Sequence, residues 1–205
     1  MRDEPDGRAG YHHGSLPAAL TAAALQLLDE RGAERMTVRE VARRAGVSPG
    51  APFRHFADRQ ALLTAVAERV LDDFEQWQLA AVAGERGPAM RAFGLGFVRY
   101  AVRHPHRFEL VRSRVFGSQQ PAELRPRLSR IERTLTDLIV EGQRRGELAA
   151  GDPAVVSLAG QALVYGLSLM IVDGYLPPER AEGLVEQVLD TFGLGVVNSA
   201  SCQEP

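Results

Sequence analysis

The sequence predicts an all-α fold: an N-terminal three-helix domain of the helix-turn-helix type followed by a larger helical body, about nine helices in all. Three observations predict it. Apolar residues recur every three or four positions in almost every segment, as in Leu16, Leu20, Ala23, Ala24, Leu27 and Leu28, and no strand-like alternation or internal repeat appears. The breaks between segments carry helix punctuation, with Gly32, Gly46 and Gly146 at ends and Thr37, Asp58 and Asp152 at starts. Hydrophobic residues make up 45% of the 205, enough for a core and too many for a disordered chain.

Taken in order, residues 1–14 are charged and Gly-rich and read as a flexible basic arm. The first helix runs from Ser15 to Arg31 and is stopped by Gly32. Thr37 caps the second, and Glu40 three residues later completes a capping box; Met36 and Val41 are placed as a hydrophobic staple. Val38, Val41, Ala42 and Ala45 form its apolar stripe, and Gly46 supplies the left-handed residue that ends it. Ser48 is expected to cap a third helix over Pro49–His55, with Pro49 at its first position. Pro52 removes an early hydrogen bond there and predicts a distorted first turn. Val38, Val41, Val47, Phe56 and Leu62 should close a small core under the first helix.

Asp58 caps a fourth helix reaching about Ala83; some 25 residues span about 38 Å, too long for the head alone, so it should run into the body. Further helices follow over Ala89–His104, Pro105–Phe116 and Arg127–Arg145, with a loop at Gly117–Pro126. Asp152 and Pro153 open a helix to Asp173, and Pro177-Pro178 open the last, to about Phe192. The organisation expected is therefore an arm (1–14), a helix-turn-helix domain (15–60), a helical body (61–197) and a polar, disordered tail (198–205).

A short helix presented after a tight glycine turn is the geometry that enters a DNA major groove. The residues expected to face double-stranded DNA are Ser48, Pro49, Gly50, Ala51, Arg54 and His55, with Phe53 at the edge and Thr37 at the start of the preceding helix. Small residues let backbone approach closely, helix N-termini favour phosphate, and a guanidinium can read guanine bidentately, which singles out Arg54. Arg59 is expected on a phosphate. The formal net charge of −2 does not advertise a nucleic-acid partner, but the distribution leans that way. Residues 8–59 hold eight Arg against five acids, and residues 60–205 hold fifteen against eighteen. Arg8, Tyr11, His12 and His13 in the arm could also reach phosphates or the minor groove. A head that binds protein instead of DNA is the alternative.

These residues resemble a known family. GVSPGAPFRHFADRQALL is similar to the signature of TetR/AcrR-type one-component regulators, G-V-S-x-x-x-[LIF]-Y-x-[HY]-F-x-[DSN]-[KR]-x-x-L, with Gly46, Val47, Ser48, Phe56, Asp58, Arg59 and Leu62 in register. Phe53 stands where a tyrosine often gives its hydroxyl to phosphate, and Pro52 where an apolar helix former is usual. The APFRHF form, the Tyr11-His12-His13-Gly14 lead-in and ALVYGLSLMIVDGYL resemble a subgroup with a WHG-type C-terminal domain. The resemblance implies a repressor acting as a homodimer, with a small-molecule effector site and the dimer contacts in the body.

The helix over 153–172 carries more apolar surface than one core needs. One side is expected on the body. The other, with Val156, Leu163, Gly166 and Met170, is expected to join Leu184 and Val188 of the last helix in a four-helix bundle across a two-fold axis. Two copies one DNA turn apart, roughly 34–36 Å, would read a pseudo-palindromic operator. Trp77, Phe93, Phe97, Tyr100, Phe108 and Tyr165 either fill the core or line a cavity for a small, largely apolar effector.

Other classes are disfavoured. Pro153 to Val172 is long enough to cross a bilayer, but Asp flanks it at both ends without basic anchors and polar residues interrupt it, so a buried helix is expected. The lone Cys202 forms no internal disulfide and the N-terminus is polar, which fits the cytoplasm. Gly46-Val47-Ser48-Pro49-Gly50 matches a nucleophile elbow only literally, since a helix and not a strand precedes it. His12 and His13 cannot converge on a metal, and His104 and His106 flank Pro105 at a helix end. No phosphate loop or dinucleotide fingerprint occurs, so no catalytic site, metal or cofactor is expected.

Overall fold

The computed structural model describes residues 16–85, 87–115 and 120–197. The arm over 1–14, with Arg8, Tyr11, His12 and His13, and the tail over 198–205, with Cys202, lie outside the described residues. Eight α-helices follow one another: α1 Leu16–Arg31, α2 Val38–Arg44, α3 Arg59–Gly84, α4 Ala89–Arg103, α5 Pro105–Val115, α6 Arg125–Arg144, α7 Pro153–Val172 and α8 Pro178–Val197. Two 3-10 turns, Pro52–Arg54 and Ala122–Leu124, interrupt them, and no strand occurs among the described residues.

Helix boundaries follow the expected chemistry. The capping box of α2 is complete: the Thr37 hydroxyl accepts from the Glu40 amide at 3.3 Å, and the Thr37 amide donates to the Glu40 carboxylate at 3.1 Å. Gly46, at φ +70°, ends α2 in a Schellman motif, with the Gly46 amide on the Arg43 carbonyl and the Val47 amide on that of Ala42. Asp58 accepts from the Ala61 amide at 2.8 Å to start α3, and Asp152 from the Ala154 amide at 2.9 Å to start α7.

The third expected helix is where the outcome differs. Residues Pro49–His55 form a chain of turns ending in the 3-10 turn Pro52–Arg54, and Ser48 contributes its backbone carbonyl, bonded by the Ala51 amide at 3.0 Å, with no side-chain cap. The reason is Pro52. An α-helix capped by Ser48 needs an amide at position 52 to bond the Ser48 carbonyl, and proline has none. The smaller differences are at ends: α6 begins two residues before Arg127, after the 3-10 turn, and α8 runs five residues past Phe192.

The head (α1, α2 and the turns) and the body share one apolar core. Leu20, Leu27, Leu28, Met36 and Val41 pack with Leu62, Val66 and Val70 of α3, and the same cluster continues to Tyr100 and Leu110. Helix α3 is thus the spine of both halves. It crosses α4 closely at Gly96: a Cβ there would lie 2.9 Å from that of Ala81 and run into the Gln78 side chain. Trp77 and Gln78 of α3 donate to the Gly96 and Phe93 carbonyls at 2.9 and 3.0 Å. A second cluster packs α4 against α7 and α8 through Leu95, Val98, Val164, Leu167, Val185 and Leu189.

Candidate functional site

The turns after α2 form an exposed projection. Ser48, Pro49 and Gly50 are exposed, as are Arg54 and His55, and Phe53 shows 56% of its surface; Ala51 is half-buried. Pro52 alone points into the core and anchors the projection. Thr37 is exposed beside it. The tight turn keeps the backbone of Ser48–Ala51 uncovered by large side chains, which a regular helix with bulkier residues would not.

The head's arginines divide into two sets. Arg31 pairs with Glu40 at 2.8 Å, and Arg44 binds Glu30 with both terminal nitrogens, at 2.5 and 2.7 Å; these pairs fix α2 on α1. The Arg44 guanidinium accordingly holds the Glu30 carboxyl below its usual range. Arg59 does not stand on the exposed face: its guanidinium turns back and donates to the carbonyls of Met36, at 3.0 Å, and Ala33. Both carbonyls lie in the α1–α2 loop, outside any helix; that of Ala33 also accepts the Met36 amide at 3.2 Å. Arg35, Arg39, Arg43 and Arg54 are exposed and enter no ion pair among the described residues. Arg35, Arg39 and Arg43, which the sequence analysis did not single out, lie on the turn before α2 and on α2 itself.

The body contains two adjoining cavities. One, of about 390 Å³, lies between α3, α5, α6 and α7 and is lined by Phe74, Phe97, Tyr100, Phe108, Tyr165 and Arg107 among others. The other, of about 460 Å³, lies between α4, α6, α7 and α8 and is lined by Phe93, Phe97, Leu135, Val164, Leu189 and Phe192 among others. Phe97, Ile131, Glu132 and Gln161 line both. Of the six aromatics expected at a cavity, Phe93, Phe97, Tyr100, Phe108 and Tyr165 are there. Trp77 lines neither cavity; it stacks edge-on to Tyr100 and His104 and spends its indole N–H on Gly96. Phe74, Ile131, Glu132 and Gln161 were not anticipated, because only packing shows which side of α3, α6 and α7 meets the void.

Helix α7 packs one side on the body through Val164, Leu167 and Ile171 and leaves the other uncovered. The uncovered seam is Val155 (63% exposed), Leu158 (69%), Ala159, Ala162 and Met170, with half-buried Gly166 between. Val156 instead turns inward against the cluster of Phe93, Leu135, Ile139 and Leu148, and Leu163 and Val188 lean on the α4–α8 cluster. Leu184 is half-buried. Met170 and Gly166 thus lie on the open side as expected, while Val156, Leu163 and Val188 pack within the subunit.

This geometry has known counterparts. Residues 20–66 match the profile of the bacterial regulatory proteins of the tetR family, and residues 90–192 that of the tetracyclin repressor-like C-terminal domain. Over 55 residues the chain is 44% identical to the class A tetracycline repressor protein from transposon 1721 of Escherichia coli, a match spanning 27% of this chain and 26%, about a quarter, of that protein. A protein of unknown function from Rhodococcus sp. RHA1 superposes with a TM-score of 0.82 at 27% identity, covering 93% of this chain and all of that one. A TetR-family transcriptional regulator from Pectobacterium atrosepticum superposes with a TM-score of 0.74 at 19% identity, covering 89% of this chain and 94% of its own. With both halves matched, and the C-terminal match alone spanning half its length, the chain belongs to the TetR family of bacterial transcriptional regulators.

Proposed function

We propose that the protein is a cytoplasmic repressor that binds a pseudo-palindromic operator as a homodimer and is released by a small, largely apolar effector. The helix-turn-helix domain is assigned to residues 15–60 and the effector and dimer functions to 61–197. The observation that carries the reading is the exposed turn Ser48–His55, with Arg54 near its end in no ion pair among the described residues. In this reading Arg54 and Phe53 reach base edges, while the backbone at Ser48, Pro49, Gly50 and Ala51, with His55 and Thr37, lies along the phosphates. Arg35, Arg39 and Arg43 add phosphate contacts, and Arg59 supports the loop behind.

The α7 seam, with Gly166, Met170 and the adjoining half-buried Leu184, is assigned to the subunit pairing. Its small residues Ala159, Ala162 and Gly166 allow two helices to approach closely, and Val155 and Leu158 supply apolar area. The effector is assigned to the cavities lined by Phe93, Phe97, Tyr100, Phe108 and Tyr165, whose volumes suit a small ligand. A ligand that binds the DNA-incompetent spacing better shifts the dimer toward it; a thousandfold loss of DNA affinity needs about 4 kcal/mol of differential binding.

Selection from a pool of random duplexes by the purified protein tests this. An inverted repeat with half-sites about one turn apart is expected, with affinity falling steeply in salt. Enrichment of no duplex at low salt would remove the DNA reading and leave a head that binds protein.

A further inference from the structure

The two cavities meet at a wall that carries two exposed polar side chains. Glu132 and Gln161 line both. The Gln161 side-chain amide donates one of its two N–H groups to the Ser157 hydroxyl at 2.9 Å, and its carbonyl oxygen remains an acceptor. Glu132 enters no ion pair among the described residues. The arginines around the cavities are all engaged: Arg91 with Asp190, Arg107 with Asp29 and Asp73, and Arg112 with Glu109. Glu147 is beside Arg145 at 3.7 Å. The uncompensated charge at the shared wall is therefore negative, carried by the Glu132 carboxylate.

We infer that the effector is an organic ammonium ion with an apolar arm, its N–H groups held by the Glu132 carboxylate and the Gln161 side-chain oxygen and its arm lying among Phe97, Ile131 and the aromatics beyond. An ammonium is attracted by the unpaired Glu132 carboxylate and donates to it, whereas a carboxylate ligand meets repulsion there. The apolar arm provides binding through area removed from water, and the head group sets selectivity. The inference rests on the effector reading above and narrows its chemical class.

The test is calorimetric titration of the full-length protein with three probes of equal chain length: decylamine, 1-decanol and decanoate, at pH 7 and below their micellar concentrations. Decylammonium is expected to bind about tenfold more tightly than decanol, and decanoate more weakly than either. Glu132→Gln should erase the preference for the amine, bringing the amine-to-decanol affinity ratio to about one, and Glu132→Lys should turn the preference toward decanoate. Melting temperatures confirm that both variants fold, and Glu132 is exposed enough to tolerate either change. Equal affinity for all three heads, or a preference for decanoate in the unaltered protein, overturns the ammonium assignment and leaves the cavity as an effector site. Binding of none of the probes overturns both.

Discussion

Arg107 of α5 grips Asp29 of α1 with two parallel hydrogen bonds, at 2.7 and 2.6 Å, and sends a third to Asp73 of α3 at 3.2 Å. Arg107 also lines the smaller cavity, so one side chain touches the head, the spine and the void. A bidentate pair is directional, and its geometry changes when either helix shifts. A double-mutant cycle over Asp29→Ala and Arg107→Ala, read from urea melts, should give a coupling of about 1 kcal/mol, the half-exposed Asp29 being partly screened. A cycle that closes to zero would mean that the pair does not join head to body.

Arg54 stands at the end of the exposed turn with no ion-pair partner among the described residues. Arg54→Ala should cost about 1–3 kcal/mol of operator binding and relax selectivity at one base position per half-site, measured by anisotropy on a panel of single-base variants. A uniform loss on every sequence would place Arg54 on the phosphates.

Arg59 is employed on the Met36 and Ala33 carbonyls. Arg59→Ala should lower stability by about 1–2 kcal/mol by leaving the Met36 carbonyl without its Arg59 donor and the Ala33 carbonyl with the Met36 amide alone, seen as a fall in thermal midpoint. An unchanged midpoint with weakened DNA binding would return Arg59 to a direct contact.

Gly96→Ala inserts a methyl where α3 and α4 touch. Ala81 cannot move aside without shifting the helix, so a destabilisation of about 1–3 kcal/mol is expected in chemical denaturation. Retention of full stability would show that the crossing is looser than the packing indicates.

His104, packed beside Trp77 and Tyr100, has its pKa lowered from 6.5, first by burial and then by the Arg107 guanidinium. The folded state therefore prefers the neutral ring while the unfolded chain takes up the proton. The contribution is present above the unfolded value and is lost as pH falls through the folded one. The stability difference between the wild type and His104→Phe should shrink as pH drops from about 7 to 5, the span around an ordinary histidine pKa. A difference independent of pH would show that the ring does not titrate in this range.

What the sequence determined is what neighbours along the chain decide. The capping box of Thr37 and Glu40, the caps at Asp58 and Asp152, and the left-handed Gly46 are interactions across at most four or five residues, so residue type and spacing suffice to read them. The same local logic flagged Pro52, and the missing amide there turned an expected helix into a run of turns. The tertiary structure decided the facing of elements that the sequence leaves ambiguous. Helix α7 is apolar nearly all round, so its pattern does not say which side is covered; contacts with α4 and α6 turned Val156 inward and left Val155 and Leu158 outside. Arg59 could have faced solvent until two carbonyls of the α1–α2 loop came within reach, and Trp77 could have lined a cavity until Gly96 let α4 approach its indole. Each outcome depends on groups brought together from distant parts of the chain, and a long side chain settles where its polar atoms find partners once the backbone has packed.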